Sequence, residues 1–182
     1  AIYGLLEELD PHSTYTPAKE SETMIEQIEG EFEGIGIEFA ILDGYITVIA
    51  PIAGTPSDRA GLVGGDKITK INNESAYKIT QDEVFNKLRG PKGSKVIITI
   101  ARKGLDDPFE ATLIRDKIPI VSIASSFMID KSIGYIRITR FMRTTFEELN
   151  RAVDELRLEG MKKLLIDFRD NPGGYLNSAV QI

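Results

Sequence analysis

The stretch Phe32-Glu33-Gly34-Ile35-Gly36-Ile37-Glu38-Phe39-Ala40-Ile41-Leu42-Asp43-Gly44-Tyr45-Ile46-Thr47-Val48-Ile49-Ala50 carries two signals at once. Ile35, Ile37, Phe39 and Ile41 alternate with smaller or polar residues, which is the period of a half-buried strand. Asp43-Gly44 then predicts a tight hairpin turn, because the favoured two-residue turns need positive φ angles that this pair adopts readily. Residues 45–50 read as the return strand. The second signal is Gly34-Ile35-Gly36-Ile37, which leads directly into the first strand. Glycines there let consecutive backbone N–H groups turn into one concavity, a nest suited to an anion. A phosphate is a poor candidate, since no helix opens right after the loop.

Working outward, Thr55-Pro56-Ser57-Asp58 predicts a short helix with Thr55 as cap and Asp58 in the capping-box place. Residues 67–72 form the next strand, closed by an Asn72-Asn73 turn. Thr80 and Glu83 make a second capping box and open a helix that ends at Gly90-Pro91. Residues 96–101 and 110–115 are the last strands. Several short strands with two short helices predict a small, partly open β-barrel over residues 31–117. In such a unit the loop at Gly34, Ile35, Gly36 and Ile37 would catch a peptide's terminal carboxylate. The following strand would offer its edge, and the helix over 81–88 would form the other wall. Ile35, Ile37, Val84 and Leu88 would line an apolar pocket for the last side chain.

The flanks have a different period. Ile2, Leu5, Leu6 and Leu9 sit at helical spacing before Asp10-Pro11, and a second helix opens at Thr16-Pro17, carries Met24, Ile25 and Ile28 on one face, and stops at Gly30. Residues 1–30 therefore read as a helical segment. In residues 118–182, strands are expected at 120–127 and 134–138. Thr145 is expected to cap a helix, with Glu148 three residues on and a buried stripe of Phe146, Leu149, Val153 and Leu156. Residues 163–168 are nearly all apolar, as in a strand covered on both faces. Strand, helix, strand in that order predicts a parallel pair. The fold class is thus α+β: a β-barrel unit inserted between a helical segment and the first part of an α/β core. The last residues, Ser178 to Ile182, read as the interior of a helix without a C-cap, which leads us to expect a piece of a longer chain.

Composition narrows the chemistry. The 182 residues are 42% hydrophobic and carry a net charge of −6, with charges of both signs interspersed. There is no basic stripe with interleaved aromatics, so nucleic acid is an unlikely partner on these grounds. With no cysteine and one histidine, His12, neither a thiolate nor a multi-histidine metal site can form, and no cofactor is implied. No apolar run approaches the ~20 residues of a membrane helix, and no targeting segment is apparent. His12 reads as a turn residue, Ser125-Ser126 as part of an apolar strand, and Asp66 as a local hydrogen-bonding residue. The pairs Glu147-Glu148 and Asp154-Glu155 read as the solvated face of a helix.

A second motif is Asp167-Phe168-Arg169-Asp170-Asn171-Pro172-Gly173-Gly174, at the C-terminal end of the expected parallel strand. Open α/β sheets place their sites there. Gly173 and Gly174 leave backbone N–H groups to face a developing negative charge, a candidate oxyanion hole.

These strings together resemble a known family. Phe32-Glu33-Gly34-Ile35-Gly36, Val48-Ile49-Ala50-Pro51, Thr55 through Leu62, Gly64-Gly65-Asp66-Lys67-Ile68 and Ile71-Asn72 resemble a bacterial PDZ domain. Leu88-Arg89-Gly90-Pro91-Lys92-Gly93-Ser94 looks like the PDZ domain of the C-terminal processing peptidases, also called tail-specific proteases. Leu9-Asp10-Pro11-His12-Ser13, Gly134-Tyr135-Ile136-Arg137-Ile138 with Phe141, and the Asn-Pro-Gly-Gly turn match other segments of that family in the expected order. The resemblance implies a PDZ domain inserted into a serine peptidase that binds the C-terminal tails of substrate proteins and works in the bacterial envelope. It implies a serine nucleophile and a lysine base that both follow the Asn-Pro-Gly-Gly turn, so no serine or lysine of this chain takes either role. This piece alone is expected to be inactive. Asp170 departs from the pattern, where many relatives have Gly or Asn, and a carboxylate there must point away from an oxyanion. The resemblance leaves room for a homo-oligomer of the full protein. The alternative to a peptidase is a non-catalytic peptide-binding scaffold.

Overall fold

A computed structural model of the chain describes Gly4, Leu6, Leu9, Asp10 and residues 13–182. Ile2, Leu5 and His12, on which the first expected helix and the single histidine rest, lie outside the described residues. In chain order the elements begin with α1 (Ala18–Glu29), β1 (Glu31–Gly34), β2 (Ile37–Leu42), β3 (Tyr45–Pro51), α2 (Pro56–Arg59) and β4 (Lys67–Ile71). They continue with β5 (Glu74–Ser75), α3 (Gln81–Leu88), β6 (Lys95–Ala101), β7 (Phe109–Ile114) and β8 (Asp116–Pro119). The last are β9 (Ile123–Met128), β10 (Ile133–Ile138), α4 (Thr145–Leu158), β11 (Lys163–Asp167) and α5 (Leu176–Gln181). Two compact units emerge. One is Phe32–Pro119, and the other joins the segment ending at Glu31 to Ile120–Ile182.

The Phe32–Pro119 unit is built on an antiparallel sheet in the order β2-β3-β4-β6-β7, with β5 beside β4. The β2–β3 turn has Asp43 at φ 53° and Gly44 at φ 80°, as the Asp-Gly pair predicts. Alternation along β6 sends Val96, Ile98 and Ile100 into the core, where they are fully buried with Ile46, Val48 and Ile68. The sheet does not close into a barrel, so β2 and β7 remain as edges. Its two ends meet separately, as β1 pairs with β8. Helix α3 opens on the expected capping box: Glu83 N donates to Thr80 Oγ1 (3.3 Å) and Thr80 N donates to Glu83 Oε2 (2.8 Å).

The other unit holds a sheet in the order β11-β10-β9. β10 and β11 are parallel, from Ile133 opposite Lys163 to Arg137 opposite Asp167, and β9 runs antiparallel to β10. Helix α4 covers one face, with Leu149, Ala152 and Leu156 packed on Ile136 and Ile138. The start of α4 differs from expectation. Thr145 Oγ1 accepts from Met142 N (2.7 Å) instead of capping the helix, and the structure gives the N-cap place to Thr144.

Glu148 is also not on a solvated face. Its carboxylate accepts from Ser122 N (2.8 Å), Ser122 Oγ (2.8 Å), Ile123 N (3.2 Å) and Thr144 Oγ1 (2.7 Å). It thereby ties α4 to the start of β9. Strand β11 does not have both faces covered: it is an edge of its sheet, and Leu165 is 48% exposed. Helix α1 ends at Gly30, whose φ is 78°, and docks through Arg143 N to Ile28 O (2.9 Å) and an Arg143–Glu29 ion pair at 3.1 Å.

Candidate functional site

The loop from Gly34 to Ile37 is held from behind. Ile35 O accepts from Ser57 N (2.9 Å) and Ser57 Oγ (2.5 Å), while Gly36 O accepts from Ile52 N (3.0 Å) and Thr55 Oγ1 (3.1 Å). In a planar trans peptide the C=O and the following N–H point in opposite directions. With both carbonyls drawn back into the fold, the N–H groups of Gly36 and Ile37 are turned outward. The β2–β3 register agrees. Ile37 faces Pro51 while Ile52 N bonds to Gly36 O, so Ile37 occupies a non-hydrogen-bonded position. Its own N–H and C=O therefore face the open edge of β2. Only glycine fits at Gly36: φ is +79°, and an added Cβ would overlap the Thr55 side chain.

This arrangement changes the reading of Thr55. Pro56 opens α2, but the Thr55 hydroxyl makes no cap. It donates to Gly36 O and to Ile52 O (2.6 Å) and is buried, fastening the loop to the residue just past the end of β3. Asp58 accepts from Gly54 N (2.8 Å) instead of completing a capping box.

Across from β2, Val84 and Leu88 of α3 line a narrow groove together with Ile35, Gly36 and Ile37. Gly34 lies just outside this lining, as the last residue of β1. The groove also recruits residues that sequence reasoning missed. Phe39 and Phe85 meet edge to face at 5.6 Å, and the Arg89 guanidinium lies 4.6 Å from the Phe32 ring and 4.9 Å from the Phe85 ring. A signal for them was present: Phe85 and Arg89 are four apart on a helix that already contributed Val84 and Leu88. Arg115 was also missed. Buried, it donates to Leu88 O (3.0 Å) and Lys87 O (2.8 Å), closing the C-terminus of α3 and fixing that wall. Burial lowers its pKa.

The second candidate lies past β11. Asp167 takes two hydrogen bonds from the Arg169 guanidinium (2.6 and 3.0 Å), one from Tyr135 Oη (2.6 Å) and one from Arg169 N (2.8 Å). These partners, Arg169 foremost, hold its carboxyl well below the usual range. Asn171 links the turn to β10, since its Nδ2 donates to Ile138 O (3.0 Å) and its Oδ1 accepts from Gly173 N (2.8 Å). Of the two glycines expected to offer donors, Gly173 therefore has its N–H engaged. Gly173 O accepts from Phe141 N (2.9 Å), so the next N–H, that of Gly174, points away from Phe141. At Gly174, φ is +137° and an added Cβ would overlap the Phe141 backbone. The Asp170 side chain is 88% exposed and pairs with Arg137 at 3.4 Å. Among the described residues no group of three or more His, Asp or Glu is placed to hold a metal.

Comparison with known proteins addresses both motifs. Residues 47–102 match the PDZ domain, and residues 132–182 match peptidase family S41. A carboxy-terminal-processing protease of Bartonella bacilliformis is 35% identical over 186 aligned positions, covering 100% of this chain and 42% of the relative. A carboxy-terminal processing protease of Bacillus subtilis is 38% identical, over 99% of this chain and 38% of the relative. The chain belongs to the carboxy-terminal processing peptidases. It spans about two fifths of the length of these curated relatives. The solved photosystem II D1 C-terminal processing protease shares the fold with a TM-score of 0.53, at 22% identity, over 94% of this chain and 49% of that one. Both relatives matched in sequence are bacterial, and among the described residues no helix is long and apolar enough to cross a membrane.

Proposed function

We propose that this chain is the tail-capturing and oxyanion-bearing part of a serine endopeptidase. The observation that carries the reading is the pair of outward N–H groups at Gly36 and Ile37, set at the open edge of β2 and facing Val84 and Leu88. An extended peptide tail would add to the edge of β2. Its terminal carboxylate would accept from Gly36 and Ile37, with Gly34 giving the approach its freedom. Its last side chain, an apolar one, would rest against Ile35, Ile37, Val84 and Leu88. The Arg89 guanidinium in the groove adds attraction for that carboxylate.

Cleavage would take place at the Gly173–Gly174 turn. By the family resemblance, a serine beyond Ile182 attacks the scissile carbonyl and passes its proton to a lysine whose pKa is lowered by burial. The carbonyl oxygen gains charge in that step. Gly174 N–H would receive it, and Gly173 would set the turn through its bond to Asn171. The substrates would be C-terminal tails of proteins in the bacterial envelope.

Titration decides the first half. A peptide ending in an apolar residue with a free carboxylate should bind this chain, and its C-terminal amide should bind about tenfold more weakly or worse. Equal affinity of the two peptides removes the carboxylate from the mechanism.

A further inference from the structure

The backbone of Phe141 holds the glycine turn on both sides of Gly174. Gly173 O accepts from Phe141 N (2.9 Å), and Phe141 O accepts from Tyr175 N (2.8 Å). Phe141 and Gly174 thereby pair as an isolated parallel bridge. The direction of the Phe141 carbonyl is settled one residue later. Phe141 O and Met142 N belong to one planar peptide, so whatever holds the Met142 N–H also aims that carbonyl.

Two hydroxyls do the holding, and both are shut away from water. Met142 N donates to Thr145 Oγ1 (2.7 Å), and Ser178 Oγ donates to Met142 O (2.7 Å). Met142 and Thr145 are fully buried, and Ser178 is 1% exposed. The Thr145 hydroxyl donates in turn to Arg140 O at a longer 3.5 Å. A helical serine ordinarily bonds a carbonyl of its own helix, three or four residues back. Ser178 instead reaches Met142, 36 residues away, while its N–H bonds Tyr175 O (3.1 Å). The residues that follow the turn are thus fastened to the same strip of backbone as those that precede it. With its hydroxyl committed to Met142 O, Ser178 is not placed to attack a substrate.

We infer, on the peptidase reading proposed above, that Thr145 and Ser178 are positioning residues: they hold the 141–142 backbone as a fixed template that sets the direction of the Gly174 N–H. Neither touches the substrate. Without the Thr145 bond the 141–142 peptide is free to rotate, and Gly173 and Tyr175 follow Phe141 because both are bonded to it. Without the Ser178 bond the start of α5 loses its tie to the same strip. In either case the Gly174 donor is misdirected when charge develops on the scissile carbonyl. Tail capture relies on the Gly36 loop and α3, and is untouched.

The experiment uses the enzyme with its serine and lysine in place, one peptide substrate, and a peptide boronate whose boron takes the serine oxygen while the serine proton passes to the lysine. Thr145→Val keeps the branched shape and removes the hydroxyl, and Ser178→Ala removes the hydroxyl at the other bond. Each should lower kcat about tenfold and leave KM within about twofold. Each should also weaken the boronate about tenfold and leave the affinity for a carboxylate tail peptide within about twofold. Thr145→Ser, which keeps the hydroxyl, should stay within about threefold of the wild type by every measure. Equal losses in Thr145→Ser and Thr145→Val assign the effect to the methyl group and overturn the inference. Unchanged kcat in both Thr145→Val and Ser178→Ala overturns it too, as does a fall in kcat matched by the fall in folded enzyme in circular dichroism. All three outcomes leave the peptidase reading standing. Absence of cleavage by the wild type overturns both.

Discussion

The Gly36 loop and the Gly174 turn solve the same problem with different completeness. Each draws a carbonyl back into the fold so that the next N–H faces outward, and each forbids a Cβ by a close approach, from Thr55 in one case and from the Phe141 backbone in the other. Around Gly36 lie an open strand edge, a helix wall, three aromatic rings and a guanidinium. Around Gly174 one donor is aimed outward while its neighbour is held by Asn171. On the proposed reading, a recognition site is contained in one sheet and one helix, whereas a catalytic site draws its groups from several elements. The two activities should therefore separate under mutation.

The largest break should come at Gly174. Gly174→Ala forces a Cβ against Phe141 and moves the outward N–H, so kcat of the assembled enzyme should drop about 100-fold or more while tail affinity stays within twofold. Steady-state kinetics beside a peptide titration check this. Loss of tail binding in this variant would mean the two glycine sites are not independent.

Next is Asp66, which sharpens the comparison from the stability side. It is fully buried and paired with Arg102 at 2.7 Å, and it also accepts from Val63 N (3.0 Å). Asp66→Ala leaves Arg102 bonded to Gly61 O but without its carboxylate, and leaves Val63 N without its acceptor, and should cost the 32–119 unit about 2 kcal/mol in urea unfolding. Gly36→Ala should then weaken carboxylate-tail binding by about 2 kcal/mol through a strained φ and the overlap with Thr55. Cleavage of a substrate too short to reach the groove should be spared, which calorimetry and kinetics together would show.

Acid should act on both units. Burial raises the Asp66 pKa, but its hydrogen bonds from Arg102 and Val63 and the charge of Arg102 outweigh that and leave it lowered. Asp116 is lowered to about 2, first by Lys92, and Asp167 is lowered by Arg169 and Tyr135. A carboxylate whose folded pKa is depressed adds stability that is complete above its unfolded pKa of about 4 and is lost as pH falls toward the folded value. Thermal melts followed by circular dichroism should therefore change little from these groups between pH 7 and 5 and move to lower temperature between about pH 4 and 2. The smallest effect is expected from Thr80→Ala, which removes the capping box of α3 for about 1 kcal/mol and leaves the groove residues in place.

Much of this was legible in the chain because it is local. Asp43-Gly44 determines a turn by its own φ preferences, Thr80 and Glu83 cap a helix three residues apart, and alternation along 96–100 assigns a face to every residue. Two of the misreadings share a physical cause, a side chain that chose a distant partner over a near one. Thr55 could cap α2 but reaches Gly36, which is 19 residues away, and Glu148 could face water but takes Ser122. Spacing rules describe what a side chain can do within a few residues and are silent on such long-range partners. Arg115 belongs to the same class, since nothing near it in sequence announces that it closes the end of α3, 27 residues away. For the Gly173–Gly174 turn, the motif gave the location, but only the bond from Asn171 distinguishes the two N–H groups.

The hydrogen bond from Ile120 N to Gly30 O, 2.7 Å long, joins residues on either side of the whole 32–119 unit. Closing a flexible loop of that length costs about 4 kcal/mol in chain entropy. The pairing of β1 with β8 supplies that closure in advance, since it brings the two ends of the inserted unit together. This predicts a preferred order of folding. The inserted unit, with a contiguous sequence and its own core, should form first, and the discontinuous unit should then assemble across a gap already bridged. A lesion that loosens the inserted unit should accordingly slow the refolding of its host, through the entropy of the connecting chain, in stopped-flow refolding.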